Sequence, residues 1–272
     1  MSHLAEAKTT RQTYENLYAK CPSCGHENIF NRASDLNDLE PIDSVKVSCS
    51  LPDCSKPFRL YGDVVNPAFE MLIFDCHELM GEKHYAYCIL NLAQAYEVFF
   101  SQYLRVELLY RPVASEFDRG NHDIDHLNRL RKLLYESVKE LTFSPLRNLF
   151  VNTVLRRRCP SSLAEAENSI KEFSKNLSKP SEEWIRNGNT ITDRQLVGLL
   201  LGLMSCKTAK LRNDVVHKLA YRPTLEQVND CLKETREILF GLAGRLGARY
   251  DDIAPYRAKR QQSSRTSADT GA

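Results

Sequence analysis

Two residues in the last third of the chain, Arg212 and His217, could do acid–base chemistry on an anion. Arginine keeps its positive charge at all ordinary pH values, and histidine can take up or release a proton near neutral pH. Four residues lie between Arg212 and His217. Within a helix, that separation places the two side chains about 140° apart around the axis. One chain therefore need not bring both groups to one substrate atom, whereas a symmetric partner could supply a second pair.

Four cysteines near the N-terminus have the spacing of metal ligands. Cys21 and Cys24 form a C-x2-C pair, and Cys49 and Cys54 form a C-x4-C pair. Four thiolates suit a tetrahedral zinc ion with no open coordination position, so we expect a structural Zn²⁺ site. Two alternatives stay open, namely four unrelated buried cysteines and the replacement of one thiolate by His26.

Strand-like segments lie beside both cysteine pairs, at 28–30, 44–48 and 57–61. Together with the cysteines they predict a small zinc ribbon over residues 18–64. Bound metal would supply much of the folding energy of such a module. Ribbons bind nucleic acid, bind proteins or serve as scaffolds, so this module does not by itself select a function.

Composition limits the classes of protein to which the chain can belong. Its 272 residues are 42 % hydrophobic and 26 % charged, and the net charge is +2, so any affinity for nucleic acid must come from local patches. No apolar run approaches the roughly 20 residues that span a bilayer, so we expect no membrane partner. The chain has nine cysteines, four of which have the spacing of metal ligands, and its N-terminal residues do not resemble a signal peptide. Both features favour the reducing environment of the cytoplasm.

Helical periodicity dominates residues 65–250, and 251–272 is polar and predicted to be a disordered tail. We therefore expect a mainly α fold, with a small β zinc ribbon followed by a helical bundle. Residues 178–191 are predicted to be a loop, and Pro145 to separate two helices. Capping boxes are predicted at Thr192, Ser162 and Thr224. The predicted helices cover 68–80, 83–110, 127–141, 146–158, 163–177, 192–204 and 225–246.

The long apolar helix over 83–110 carries its polar residues on one seam, which includes Glu97. One interpretation is that this seam simply faces water. The other is that Glu97 points towards the Arg212/His217 site and orients it.

The arrangement resembles the HEPN family of small helical bundles, which carry an Arg-x4–6-His motif that often begins Arg-Asn. The matching residues are Arg212-Asn213 with His217, and Glu97 within Ala95-Tyr96-Glu97-Val98-Phe99. The resemblance covers roughly 68–110 and 193–246, and leaves 111–191 as a helical insertion. One branch of the family has a tyrosine two residues after the histidine, whereas the nearest tyrosine here is Tyr221.

The resemblance implies a homodimer in which paired motifs form a cleft that cleaves RNA without a catalytic metal. His217 would act as general base or acid on the ribose 2′-hydroxyl, and Arg212 would hold the scissile phosphate. Asn213 would position the substrate or the histidine, and Glu97 would orient Arg212 or His217. The expected function is that of a toxin or defence endoribonuclease, with an inhibitory protein as a possible further partner.

Other interpretations of the same residues stay open. Spacing alone is weak evidence, because Arg119 and His126 also match the pattern. His217 could be a helix-end histidine bonded to a backbone carbonyl, with Arg212 in a surface ion pair. The protein could then be a non-catalytic HEPN-type binding module, or a zinc-ribbon regulator that binds nucleic acid and has a helical dimerisation domain. The arginine run at 156–158 fits a solvated helix end or a track for phosphates.

Overall fold

The computed structural model describes residues 16–31, 44–61, 68–112, 124–156, 160–188, 191–218 and 221–246. Two compact units make up the chain, residues 1–71 and 72–272. The described part is mainly helical and begins with two small two-stranded sheets beside the cysteines. This confirms a mainly α fold with a small β start that resembles a zinc ribbon. The predicted tail at 251–272 lies outside the described residues.

The N-terminal unit contains two antiparallel hairpins. Strand β1 (Asn16–Lys20) pairs with β2 (Glu27–Asn31), and β3 (Ser44–Ser48) pairs with β4 (Pro57–Tyr61). The buried apolar residues of these hairpins are Phe30, Val47 and Leu60, with Ala19 and Phe58 packed against them. A core of this size is too small to stabilise a fold alone, so such modules depend on metals or cross-links.

The second unit is built from helices joined by short connections. The helices are α1 (Ala68–Gly81), α2 (Tyr85–Arg105), α3 (Ile124–Val138), α4 (Phe143–Arg156), α5 (Leu163–Lys171), α6 (Glu182–Asn187), α7 (Arg194–Met204), α8 (Lys207–His217) and α9 (Leu225–Leu246). A π-helical turn at Val106–Tyr110 extends α2, and a 3-10 turn at Phe173–Asn176 follows α5.

Helix α2 is the central element of this unit. Its buried residues cover more than one face, and α4, α8 and α9 all pack against it. An aromatic cluster joins α2 to α4, with Phe100 stacked on Phe150 at a centroid distance of 4.8 Å. In the π turn, the buried Glu107 pairs with Arg111, which also donates to the last carbonyl of α9, that of Leu246. The helix that carries Glu97 is therefore fixed along its length.

Two helix starts differ from the sequence prediction. Pro145 does not separate helices but lies in the first turn of α4, which begins at Phe143. A proline is tolerated there because the first backbone N–H groups of a helix have no partner within the helix. Helix α7 is capped by Asp193 rather than Thr192, since the Asp193 carboxylate accepts from the backbone N–H of Gln195 and Leu196.

The segment 178–191 was predicted to be a loop, but it contains the short helix α6. Ser181 caps this helix by accepting from the backbone N–H of Trp184, and Glu182 and Glu183 lie in the first turn, where acidic residues are favourable. The predicted capping box at Thr224 is confirmed, because the Thr224 hydroxyl accepts from the backbone N–H of Gln227 and the Gln227 side chain accepts from that of Thr224. At Ser162 the hydroxyl caps the helix by accepting from the backbone N–H of Glu165, but the Glu165 carboxylate accepts from the backbone N–H of Ser161 instead of Ser162.

Among the described helices, none combines the length and the apolar character that crossing a membrane would need.

Candidate functional site

The four predicted cysteines come together in the N-terminal unit. Their Sγ atoms all lie within 4.8 Å of one another. Cys21 and Cys54 are 3.8 Å apart at sulfur, as are Cys24 and Cys49. Cys21 is 2 % exposed and Cys49 is 4 % exposed. The cluster could therefore hold one metal ion. The ring of His26 is not part of it, so the alternative with a histidine ligand is not supported.

Two backbone turns of the same kind present the second cysteine of each pair. The residue after Cys24 is Gly25, at φ 74°, and the residue after Cys54 is Ser55, at φ 44°. The N–H of Gly25 donates to the Cys21 carbonyl, and the N–H of Ser55 donates to that of Leu51. Leu51 therefore occupies in the second turn the position that Cys21 occupies in the first. Because Cys49 lies two residues before Leu51, the second pair has the spacing C-x4-C instead of C-x2-C.

Asn28 links the two turns, and sequence reasoning missed it. Its side chain is 0 % exposed. The side-chain Nδ2 donates to the carbonyls of Ala19 and His26, while Oδ1 accepts from the backbone N–H of Ser50 at 2.7 Å. A buried amide with these bonds holds the second cysteine turn against the first. The only signal in the sequence is its place four residues after Cys24, where an asparagine also fits an ordinary hairpin.

The surroundings of Cys24 and Cys21 shift the pKa values of these two thiols. The backbone N–H of His26 favours the Cys24 thiolate, but burial and the neighbouring thiols outweigh it and raise the pKa of Cys24 to about 12. Burial also acts on Cys21, yet backbone N–H groups of Ser23 and Cys24 prevail and lower its pKa to about 7. Several thiolates this close repel one another, and a divalent cation among them removes that cost.

The Arg-x4-His motif lies entirely within α8. Arg212 is half-buried, whereas Asn213 and His217 are exposed, and His217 is the last residue of the helix. Arg212 Nη1 donates to Asn213 Oδ1 at 3.3 Å. Because the helix is continuous across the motif, the angular separation of about 140° between Arg212 and His217 applies.

Glu97 and Arg212 are brought close enough to interact electrostatically. Glu97 lies on the polar seam of α2, which is the helix against which α8 packs. Burial raises the pKa of Glu97, and the positive charge of Arg212 partly offsets that rise. His217 makes no hydrogen bond or ion pair to any described residue, so no described carbonyl acts as its partner. Its imidazole is thus open to solvent about one and a half turns from Arg212.

The start of α8 is held by residues of α9 that sequence reasoning did not single out. Glu234 Oε2 accepts from the backbone N–H of Lys207 at 2.7 Å. The side chain of Lys207 also pairs with Asp230 at 2.7 Å, and the buried hydroxyls of Thr208 and Thr235 lie 3.1 Å apart. Glu234 therefore caps α8 across the helix interface, because Cys206 at the N-cap supplies no capping bond. In the sequence, Asp230 and Glu234 fit the polar face of a helix exposed to solvent.

The second match to the Arg/His pattern has a different environment. His126 Nε2 lies 3.1 Å from a carboxylate oxygen of Glu167, which joins α3 to α5. Arg119 is outside the described residues. His126 is therefore used in a contact between helices, unlike His217.

No protein-family model, no curated protein and no solved structure matches this chain.

Proposed function

We propose that this protein is a metal-independent endoribonuclease of the toxin or defence type, with a HEPN-type site completed by a homodimer. The observation that supports the proposal is the electrostatic interaction of Glu97 with Arg212, together with a solvent-exposed His217 on the helix that carries Arg212. A half-buried carboxylate near a guanidinium can orient it, and an exposed imidazole that no described residue engages can exchange protons with a substrate. Two helices distant in sequence supply these groups.

The reaction needs only groups that this site supplies. In the proposed reaction His217 takes the proton of a ribose 2′-hydroxyl, and the oxygen attacks the adjacent phosphorus. The bond to the 5′ oxygen breaks, the leaving oxygen takes a proton from the protonated His217 of the second protomer, and a 2′,3′-cyclic phosphate remains. Arg212 offsets the charge that grows on the phosphate, and Asn213 positions the substrate or the imidazole. DNA lacks the 2′-hydroxyl and is expected not to be cut.

A homodimer follows from the separation of the two side chains. An angle of about 140° keeps Arg212 and His217 of one helix from converging on one phosphate. Two copies of α8 that face each other would place Arg212 of each protomer near His217 of the other. A monomer is then expected to be inactive, and an inhibitory protein could act by covering the same surface.

We further propose that the four cysteines bind a structural zinc ion. In a tetrahedral site with zinc–sulfur distances of about 2.3 Å, neighbouring sulfurs are about 3.8 Å apart. Two of the sulfur pairs have that separation. The four thiolates leave no open coordination position, so this metal takes no part in cleavage. The module would instead contribute a surface for RNA or a protein partner.

His217→Ala tests the proposed reaction. Cleavage of single-stranded RNA in the presence of EDTA should be lost, and the variant should still be a dimer when its size in solution is measured. His77→Ala is a matched control, because His77 is an exposed histidine of α1 outside the motif. Unchanged cleavage by the His217 variant would refute the assignment.

Two other outcomes would favour the alternatives. If the purified wild-type protein cuts no RNA under any condition, a non-catalytic binding module of the HEPN type is favoured. If loss of Cys21 or Cys54 abolishes nucleic-acid binding while His217 is dispensable, a zinc-ribbon regulator is favoured.

A further inference from the structure

A cavity of about 390 Å³ lies among α4, α5, the 3-10 turn and α6, within the segment that the Arg/His site does not use. Its size is that of cavities that hold small molecules. Leu108, Leu155 and Phe173 are buried and give it an apolar lining. The cavity can therefore accept the flat, apolar body of a ligand.

One wall of this cavity is the only tryptophan of the chain, Trp184. Its indole Nε1 donates to the Gly188 carbonyl at 2.8 Å. A Cβ at Gly188 would lie 2.2 Å from Trp184 Cδ1, so a side chain there would displace the ring. The hydrogen bond and the glycine fix the orientation of the indole. A ring held in this way is a preformed surface on which another ring can stack.

The polar groups of the cavity favour an anion with a donor group. Arg156 lies at its edge, is exposed, and makes no ion pair with any described residue. Glu172 also lines the cavity, but its carboxylate is bonded to Lys175 at 2.9 Å. Asn176 is 7 % exposed, and its buried Oδ1 has no hydrogen-bond partner among the described residues. An unpartnered buried acceptor costs free energy, and a rotation of the Asn176 amide towards the cavity would let a donor on a ligand recover it.

We propose that this cavity binds a nucleoside monophosphate unit with an amino-substituted base, such as adenosine 5′-monophosphate. The base stacks on Trp184, its amino group donates to Asn176, and the phosphate pairs with Arg156. Amide side chains pair well with the amino group of adenine, and arginine suits phosphate. The same unit occurs free or within an RNA strand. The binding is separate from cleavage at Arg212 and His217 and does not depend on it.

Because Trp184 is the only tryptophan, its fluorescence reports on this cavity directly. The full-length protein is titrated with adenosine 5′-monophosphate, adenosine, inosine 5′-monophosphate and a short oligoadenylate. We expect a saturable change with adenosine 5′-monophosphate, and binding weaker by about tenfold or more without the phosphate or without the amino group. A tighter complex with the oligoadenylate identifies an RNA strand as the source, and equal or weaker binding identifies the free nucleotide.

Two variants separate the site from general electrostatic attraction. Arg156→Gln should weaken binding of adenosine 5′-monophosphate by about tenfold. Arg186→Gln should leave it unchanged, because Arg186 is on the same helix as Trp184 but does not line this cavity. The site is refuted if the wild-type protein gives no saturable signal at millimolar nucleotide, or if Arg156→Gln binds as the wild type does. Equal binding of the inosine nucleotide overturns the role of Asn176.

Discussion

At the scale of single residues, Asn28 shows how a side chain that binds no metal can decide whether a metal site forms. Its amide holds the backbone beside Cys49 to the turn that contains Cys24. Asn28→Ala removes these bonds and leaves the backbone N–H of Ser50 without its acceptor. We expect zinc affinity to fall by about 10- to 100-fold, as measured by competition with a chromophoric chelator. Ser23→Ala, a substitution at an exposed side chain of the same module, should have little effect, and an unchanged affinity for Asn28→Ala would contradict this role.

Ionisation of Asp75 makes the stability of the folded protein depend on pH. Burial, together with repulsion from Glu78, raises the pKa of Asp75 to about 6. Because the folded-state pKa lies above the unfolded value of about 3.9, the folded protein binds more protons between these values, and stability falls as pH rises through them. The asparagine of Asp75→Asn cannot ionise, so this variant does not lose stability in this way as pH rises.

The Asp75→Asn variant should therefore be more stable than the wild type at pH 7, by about 1 kcal/mol once solvent screening is counted. At pH 4 the two proteins should unfold alike. Thermal unfolding at the two pH values measures the difference, and Glu237→Gln, at an exposed side chain in the middle of α9, is the control. A gain that is the same at both pH values would show that ionisation is not its cause.

At the scale of elements, the position of α8 depends on α9. Glu234 caps the first turn of α8, which otherwise has no side-chain cap. Glu234→Ala should destabilise the protein by about 1 kcal/mol and speed hydrogen exchange at the first amides of α8. Glu234→Gln keeps an acceptor oxygen and should restore much of the protection. Glu237→Ala, at an exposed residue of α9, is the control.

The Glu234 variants also separate positioning from catalysis. Hydrogen exchange of α8 is measured without RNA, so it tests the cap even if no cleavage is found. If the alanine and glutamine variants exchange alike, the oxygen of Glu234 is not what holds the helix. If hydrogen exchange in α8 becomes faster and RNA cleavage falls, the position of α8 is important for the proposed site.

At the scale of the whole molecule, the two compact units should respond differently to loss of metal. The hairpins of residues 16–61 have few buried apolar residues, whereas the helical unit has an extensive apolar core. A strong chelator should therefore expose the hairpins to protease and leave the helical circular dichroism signal largely intact. Metal analysis should give about one zinc per chain, which Cys54→Ser reduces. Hairpins that stay protected after complete removal of metal would contradict a structural role.

The sequence alone was enough to place the cysteine site and the main helices. Paired cysteines with short spacing constrain their ligand geometry locally, and long runs of apolar residues at helical periodicity need little tertiary context. Local capping chemistry likewise located the start of α9 at Thr224. Division of the chain at 64/65, the insertion at 111–191 and the resemblance to HEPN proteins stay predictions.

Only the tertiary structure decided which distant residues meet. The Arg-x4–6-His pattern occurs twice in the chain, yet His126 pairs with Glu167 while His217 stays open to solvent. Nothing local in the sequence places Glu234 at the start of α8, or Trp184 in a cavity with Arg156. The physical reason is that the spacing of residues and their helix or turn propensity determine structure only within one helix or turn. Contacts between helices depend on how the faces of the whole core pack. The Arg/His motif was therefore read from the sequence, whereas the electrostatic interaction of Glu97 with Arg212 depends on the packing of α8 on α2.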